Sequence, residues 1–214
     1  MIPFSFYITY VLLLTTGTIT FIEALRNKNA MVQHIMNLET CISVVAGYFY
    51  SVFQEKLKKM KEIDWKELTR LRYIDWAITT PMMLLVLSLV LSFNTKTNIK
   101  LYWVVLTVFF NYLMLYTGYL GETGKLEKMT ASILGFLALF LTYAIFFVQY
   151  ILPKYNRDNT ILFSMYVIIW SIYGIAYHFE EERKNITYNY LDLTSKCLVG
   201  IGLWIYYVKI IKTA

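Results

Sequence analysis

An acid and an amine stand four residues apart near the C-terminus, in a run that is otherwise apolar enough to cross a bilayer. The run is DLTSKCL, and it places Asp192 and Lys196 on one helix face, because residues four apart lie on the same side of a helix. A charged side chain at membrane depth costs about 2.5–3.5 kcal/mol on insertion scales, so a lysine there indicates a functional site. An internal ion pair that only holds a helix bundle together is the alternative.

A second charged cluster opens an earlier apolar segment, in the run RYIDWAITTP. Arg72, Asp75 and Thr79 stand at i, i+3 and i+7 and therefore share a helix face. With Asp192 and Lys196 they give two cations and two anions. Such a set has no net charge, which is the condition under which ionised side chains are tolerated in a low-dielectric interior.

The two runs together resemble the microbial (type 1) rhodopsins, through the patterns R-Y-x-D-W-x-x-T-T-P and D-x-x-x-K. The resemblance implies an all-α membrane protein, a seven-transmembrane-helix bundle enclosing retinal. It implies that all-trans-retinal is covalently bound to Lys196 as a protonated Schiff base, with Asp75 as the main counterion and proton acceptor. Asp192 is then the second carboxylate, and Arg72 helps to keep both ionised. The hydroxyl of Thr79 is placed to bond Asp75, or to bond back to its own helix carbonyl.

The same resemblance implies a retinal pocket of aromatic and small side chains. Trp170, Tyr173 and Tyr177 stand at i, i+3 and i+7 of the sixth helix, and Tyr177 replaces the tryptophan of many relatives. Aromatic residues at this spacing otherwise belong to a helix core. Gly118 would let the polyene pass close to the backbone. The other expected pocket residues are Trp76, Thr80, Met83 and Met114.

The composition is that of a membrane protein. The chain of 214 residues is 58% hydrophobic and 16% charged, whereas charged residues make up about a quarter of a soluble domain. We expect one domain, residues 1–214, that is integral to the lipid bilayer and is not an enzyme. Seven spans of roughly 20 apolar residues are predicted at about 4–25, 32–54, 70–93, 99–120, 129–151, 160–179 and 186–209.

The loop charges do not decide the orientation, which we take from the resemblance: N-terminus outside and C-terminus cytoplasmic. The net charge of +6 indicates anchoring at the membrane surface, and we expect neither a nucleic-acid partner nor a metal site. A homo-oligomer is compatible with the sequence. Cys41 and Cys197 lie inside predicted spans and are expected to be free, buried thiols.

Lysines and apolar residues are mixed from Glu55 to Arg70, which predicts a short helix lying at the membrane interface. Its apolar residues are Leu57, Met60, Ile63, Trp65 and Leu68.

Val86 and Glu39 bear on what a retinal protein of this kind would do. Val86 stands where proton-pumping relatives usually carry the acid that reprotonates the Schiff base from the inside. Glu39 lies well within the second helix, where an acid could line a cation path. Alternatively, Glu39 is a structural partner for Asn37 or for a lysine at the inner boundary.

This pattern looks most like the group 1 viral rhodopsins, which act as light-gated cation channels, and a channel for cations is the function predicted. The alternative is a light-driven outward proton pump with slow reprotonation. A sensory rhodopsin is a third class, although no exposed patch for a signalling partner is identifiable. A chloride pump is disfavoured because Asp75 already places an anion where chloride would sit.

Overall fold

The computed structural model describes residues 2–59 and 64–210, and the regular structure within these ranges is helical, without strands. Seven helical stretches there are long and apolar enough to cross a membrane. The predicted fold class, an all-α protein with seven membrane-spanning helices, is confirmed.

The helices are joined by short connections. They are α1 (Ile2–Arg26), α2 (Ala30–Lys59), α3 (Trp65–Thr95), α4 (Leu101–Glu122), α5 (Lys128–Phe146), α6 (Arg157–Ala176), α7 (Glu181–Asp192) and α8 (Val199–Ile205). Three π-helical turns continue them: π1 (Phe147–Ile151) after α5, π2 (Leu193–Leu198) between α7 and α8, and π3 (Tyr206–Ile210) after α8. The seventh span, Glu181–Val208, therefore comprises α7, π2, α8 and the start of π3.

The prediction of a separate short helix at the membrane interface is wrong for the described residues. Leu57 belongs to α2, and Trp65 and Leu68 belong to α3, so the two long helices extend into this segment from either side. Lysine and glutamate interrupt the apolar run there without interrupting the helix, because both are good helix formers. Met60 and Ile63 lie outside the described residues.

The chain forms two compact units. The first comprises Met1–Asp64 and Phe179–Ala214, and the second comprises Trp65–His178. The first unit thus contains α1, α2, α7 and α8, and the second contains α3 to α6. The expectation that residues 1–214 form a single domain stays a prediction.

The first unit rests on close packing of α1 against α2. A Cβ atom at Gly17 would lie 3.2 Å from Cβ of Ser43, so a larger residue would push these helices apart. The hydroxyl groups of Thr20 and Thr40 share a hydrogen bond of 2.9 Å between the same helices. Small and hydroxyl-bearing residues are typical of contacts between membrane helices, where lipid tails remove the hydrophobic drive for association.

Both cysteines are free, as predicted, but their surroundings differ. Cys197 is buried, whereas Cys41 is exposed, so the prediction that both thiols are buried is wrong for Cys41. Glu39 and Ile42, its neighbours on α2, are buried. The apolar run could not distinguish the packed side of α2 from its outward side, because both sides of a membrane helix are apolar.

In the second unit, α3 contains a proline whose missing donor is replaced by a neighbouring helix. Pro81 has no N–H to offer the carbonyl oxygen of Ala77, four residues earlier. The hydroxyl of Tyr112, on α4, donates to that oxygen at 3.0 Å. An unsatisfied backbone group in hydrocarbon costs several kcal/mol, so this donor makes the proline tolerable within a span.

The C-terminal end of α3 closes through a residue in the left-handed conformation, Lys96, with φ of 57°. The amide of Thr97 donates to the Ser92 carbonyl at 3.1 Å, and the amide of Lys96 donates to the Phe93 carbonyl at 3.3 Å. This is the hydrogen-bond pattern of a Schellman motif, a position usually taken by glycine.

Candidate functional site

In the seventh span, Lys196 and Asp192 form a buried ion pair. Their side chains are 1% and 0% exposed, and Lys196 Nζ lies 3.4 Å from Asp192 Oδ1. The spacing of four residues has therefore placed both groups on one side of the helix, as predicted. Each charge offsets part of the desolvation of the other, which is the condition for keeping both ionised in a span.

The backbone around this pair departs from a regular α-helix. Lys196 lies in the middle of π2, which follows directly after Asp192. Turns of this kind are rare and are found frequently at functional sites. The run from Leu193 to Leu198 contains neither proline nor glycine, so no local signal in the sequence predicted the turn.

Asp192 is also held by a network that joins α1, α2 and α7. The hydroxyl of Tyr50 donates to Asp192 Oδ2 at 2.7 Å and lies 3.0 Å from Oδ1 of Asn189. Nδ2 of Asn189 donates to Ser5 Oγ at 2.9 Å. The hydroxyl of Thr9 donates to the Asn189 carbonyl oxygen at 3.1 Å. Three helices thus fix the orientation of one carboxylate.

Glu39 of α2 is buried against α8, one helical turn beyond Lys196. The side chain is 2% exposed. A Cβ atom at Gly200 would lie 2.9 Å from Glu39 Oε2 and 2.9 Å from Thr16 Cγ2, so the glycine makes room for the carboxyl group. Asn37 is exposed, and no described residue forms a hydrogen bond or an ion pair with Glu39. The alternative of a structural partner in Asn37 or a lysine therefore finds no support among the described residues.

The second unit places Arg72, Asp75 and Thr79 together on α3. Their exposed fractions are 2%, 0% and 0%. The hydroxyl of Thr79 donates to the main-chain carbonyl of Asp75 at 2.9 Å, which is the second of the two alternatives for this residue. The i, i+3, i+7 spacing has therefore placed a buried cation, a buried acid and a hydroxyl along one helix.

The expected aromatic residues lie in the interior of the second unit. The rings of Trp76 and Tyr173 meet edge to face, with centroids 5.5 Å apart and planes at 90°. Trp170 contacts Tyr143 in a similar geometry at 5.9 Å. Trp76 and Trp170 are buried. Edge-to-face pairs of this kind hold rings in fixed orientations, which a shaped pocket requires.

Gly118 is crowded by two phenol groups. A Cβ atom there would lie 2.7 Å from the hydroxyl oxygen of Tyr73, so this glycine makes room for Tyr73. The hydroxyl of Tyr177 donates to the Gly118 carbonyl at 3.2 Å. Burial, helped by the nearby charge of Glu122, raises the pKa of Tyr177 to about 12, so the phenol keeps its proton.

The remaining expected pocket residues also lie in the second unit. The hydroxyl of Thr80 donates to the Trp76 carbonyl at 2.6 Å and accepts from Asn111 Nδ2 at 2.8 Å. Met83 is buried and Met114 is half-buried.

Sequence reasoning missed four residues of the first unit that shape the surroundings of Asp192 and Glu39: Tyr50, Asn189, Ser5 and Gly200. For Asn189 a signal existed, because it is a polar residue three positions before Asp192 in an apolar span. Ser5 carried no such signal, since its partner lies 184 positions away in the chain.

The family model described as bacteriorhodopsin-like protein matches residues 3–210. The chain therefore belongs to the bacteriorhodopsin-like family, the microbial rhodopsins, as predicted. Among solved structures, it is similar to the viral rhodopsin OLPVRII, with 46% identity, coverage of 98% of both chains and a TM-score of 0.92. This confirms the likeness to viral rhodopsins.

A curated relative and a further solved structure are also similar to the chain. The green-light absorbing proteorhodopsin of Gamma-proteobacterium EBAC31A08 is 28% identical over 162 residues, which cover 66% of this chain and 62% of the relative. The matched part thus spans less than two thirds of that relative. A light-driven proton pump from Leptosphaeria maculans shares the fold, with 17% identity, a TM-score of 0.77 and coverage of 96% of this chain and 95% of that chain.

Membership of this family implies retinal joined to a lysine, in an integral multi-pass membrane protein. The donor set fits that linkage, because Lys196 is a buried amine well inside a span with a buried acid beside it. Lys184, which is also buried, lies near the start of α7, and its Nζ is 2.8 Å from Glu181 Oε1, on a side chain that is 41% exposed.

Proposed function

We propose that this microbial rhodopsin is a light-driven outward proton pump that carries all-trans-retinal on Lys196. The observation that carries the proposal is the position of Glu39, buried against Gly200 one turn beyond Lys196. A buried carboxyl group without a described hydrogen-bond or charged partner is less costly to keep with its proton than without it. Glu39 would therefore store the proton that Val86 cannot supply.

Retinal, when bound, supplies absorption of visible light and a change of shape on isomerisation. The amine of Lys196 holds a proton in the dark, next to the Asp192 carboxylate. By resemblance to the family, Asp75 takes that proton after illumination, and Arg72, buried on the same helix, helps to keep Asp75 ionised beforehand. Glu39 then returns a proton to Lys196 Nζ. Glu39 next takes up a new proton from the cytoplasmic side, which is the side of the C-terminus in the orientation that the resemblance implies.

The pocket residues have the supporting role of excluding water and fixing orientation. We assign this role to the buried tryptophans and their edge-to-face partners, together with Thr80, Met83, Met114, Gly118 and Tyr177.

The light-gated cation channel remains the second candidate, favoured by a different observation. The first unit contains a series of buried polar side chains along α1, namely Ser5, Thr9, Thr16, Thr20 and Glu23. Such a series would attract water and cations if the helices moved apart in light. Leu13 and Ile42 are apolar and fully buried in the same unit.

Photocurrent against membrane voltage separates the two functions. Cells expressing the protein with added all-trans-retinal should give an outward current that keeps its direction over a wide voltage range. A current that reverses sign at a voltage set by the ion gradients would establish the channel and overturn the pump.

Glu39→Gln tests the proposed donor in the same preparation. The substitution should leave the dark absorption nearly unchanged and slow recovery of the dark state by about 10²-fold, the lower end of what a positioned proton donor contributes. Added azide, a small mobile acid, should restore the rate. Glu23→Gln is the control, because Glu23 is another buried acid but is bonded to Arg26 and Asn27 at 2.7 and 2.8 Å. Unchanged recovery in Glu39→Gln would exclude Glu39 as the donor.

A further inference from the structure

Tyr50 lies between two acceptors and has one proton to give. Its hydroxyl oxygen is 2.7 Å from Asp192 Oδ2 and 3.0 Å from Asn189 Oδ1. A phenol donates a single hydrogen, so a full hydrogen bond to one acceptor weakens the bond to the other. The bond to an ionised carboxylate is the stronger of the two, which agrees with its shorter length.

The amide of Asn189 is oriented so that its oxygen points at Tyr50. Its Nδ2 group donates to Ser5 Oγ at 2.9 Å, which leaves Oδ1 on the side of the phenol. The residue is 0% exposed, and its carbonyl oxygen accepts from Thr9 at 3.1 Å, so the backbone is held as well. Asn189 is thus held by α1 and shares the proton of Tyr50 with Asp192.

We propose that Asn189 is a positioning residue that sets the effective negative charge of Asp192 by competing for the hydroxyl proton of Tyr50. No covalent bond changes in this competition. The hydrogen bond donated by the Tyr50 O–H is divided between Asp192 Oδ2 and Asn189 Oδ1. The inference rests on the proposed linkage of retinal to Lys196, whose Nζ lies 3.4 Å from the other oxygen of the same carboxylate.

The competition has a consequence that an optical measurement detects. A negative charge next to the linked amine stabilises the dark state, in which positive charge is concentrated at Nζ, and so widens the gap to the excited state. Removing the competitor lets Tyr50 donate fully to Asp192, which weakens the field of that carboxylate. Removing the phenol hydroxyl has the opposite effect.

The test uses the full chain reconstituted with all-trans-retinal. Asn189→Leu should shift the absorption maximum to longer wavelength, and Tyr50→Phe should shift it to shorter wavelength. The double variant should absorb like Tyr50→Phe alone, because Asn189 acts through the hydroxyl that is then missing. Ser5→Ala removes the acceptor of the Asn189 Nδ2 group but keeps the amide, and it should shift the absorption maximum in the same direction as Asn189→Leu. This variant replaces Asn189→Leu in the test if Asn189→Leu does not fold.

The outcomes separate this inference from the proposed function. If Asn189→Leu and Ser5→Ala lower only the thermal midpoint and leave the maximum unchanged, the role of Asn189 is structural and the inference is wrong. Independent, additive shifts in the double variant would also overturn it. If the unmodified chain forms no pigment with retinal, the proposed function fails instead.

Discussion

Lys196 and Lys184 are two buried lysines of the seventh span in different surroundings. The partner of Lys184 is Glu181, a side chain that reaches water, and ion pairs with an exposed member contribute little beyond local order. The partner of Lys196 is Asp192, which is fully buried. In the pair of Lys196 with Asp192, the amine and its counter-charge are both withdrawn from water, which is what a linked chromophore with a fixed positive charge requires.

Lys196→Ala should abolish visible absorption after retinal is added, because the variant lacks the amine that forms the linkage. The measurement is an absorption spectrum of the purified protein. Lys184→Met is the matched control, since it removes the other buried amine of the same span and should keep the colour. Visible absorption in Lys196→Ala would contradict the assignment.

If Asp75 is the counterion that the family resemblance implies, Asp75→Asn should shift the absorption maximum to longer wavelength, because the variant replaces a buried acid with a neutral amide. Asp75→Glu keeps the charge and should shift it much less. The comparison is made at a pH where the linked amine keeps its proton in both variants. If Asp75→Asn leaves the maximum in place, Asp192 is the main counterion.

At the scale of a helix, α8 carries two glycines with opposite surroundings. A Cβ at Gly200 would collide with Glu39 Oε2 and Thr16 Cγ2, whereas among the described residues no side chain and no other helix lies within 4 Å of a Cβ at Gly202. Gly200 therefore leaves the space that the carboxyl group of Glu39 occupies. Gly202 only lowers helix propensity, by about 1 kcal/mol relative to alanine.

Gly200→Ala should slow recovery of the dark state, because the new methyl group displaces the Glu39 carboxyl from its place one turn beyond Lys196. Gly202→Ala is the matched control on the same helix and should recover at the normal rate. Flash photolysis of both variants measures the difference. Equal rates in the two would show that the exact position of Glu39 does not matter for reprotonation.

Lys96→Gly should stabilise the protein by about 0.5–1 kcal/mol, because glycine adopts the left-handed conformation at the end of α3 without steric strain. The thermal midpoint of pigment bleaching is the measurement. Lys96→Ala keeps the strain and should give no comparable gain. A drop in the midpoint of Lys96→Gly would mean that the lysine side chain contributes more than its backbone conformation costs.

The sequence was sufficient for the spans and for the pairing of Asp192 with Lys196, because both follow from hydropathy and helical periodicity. It was not sufficient for π2, since a π-helical turn is selected by the packing around it and not by the residues within it. The partners of Asn189 were equally hidden, because Ser5 and Tyr50 reach it only through the assembly of α1 and α2 on α7. The helix ends were missed where charged residues extend a helix beyond its apolar part.

At the scale of the whole molecule, many large apolar side chains of the spans are exposed. Leu101, Phe109, Phe140 and Ile168 each expose more than half of their surface. Buried polar groups lie inside each unit, as Asn189 and Asn111 do. This distribution suits a lipid surrounding, in which backbone and side-chain polar groups must find their partners within the protein. Any proton that crosses the membrane must therefore travel along internal groups.

The proline of α3 has a consequence for how the chain assembles. A single helix containing Pro81 would enter the bilayer with the carbonyl oxygen of Ala77 unsatisfied, and the donor for that oxygen is Tyr112 on the next helix. The connection between α3 and α4 is short and comprises residues 96–100. The two helices are thus suited to insert as one hairpin. Because α3 gains the missing hydrogen bond only by packing against α4, the proline favours early pairing of these two helices.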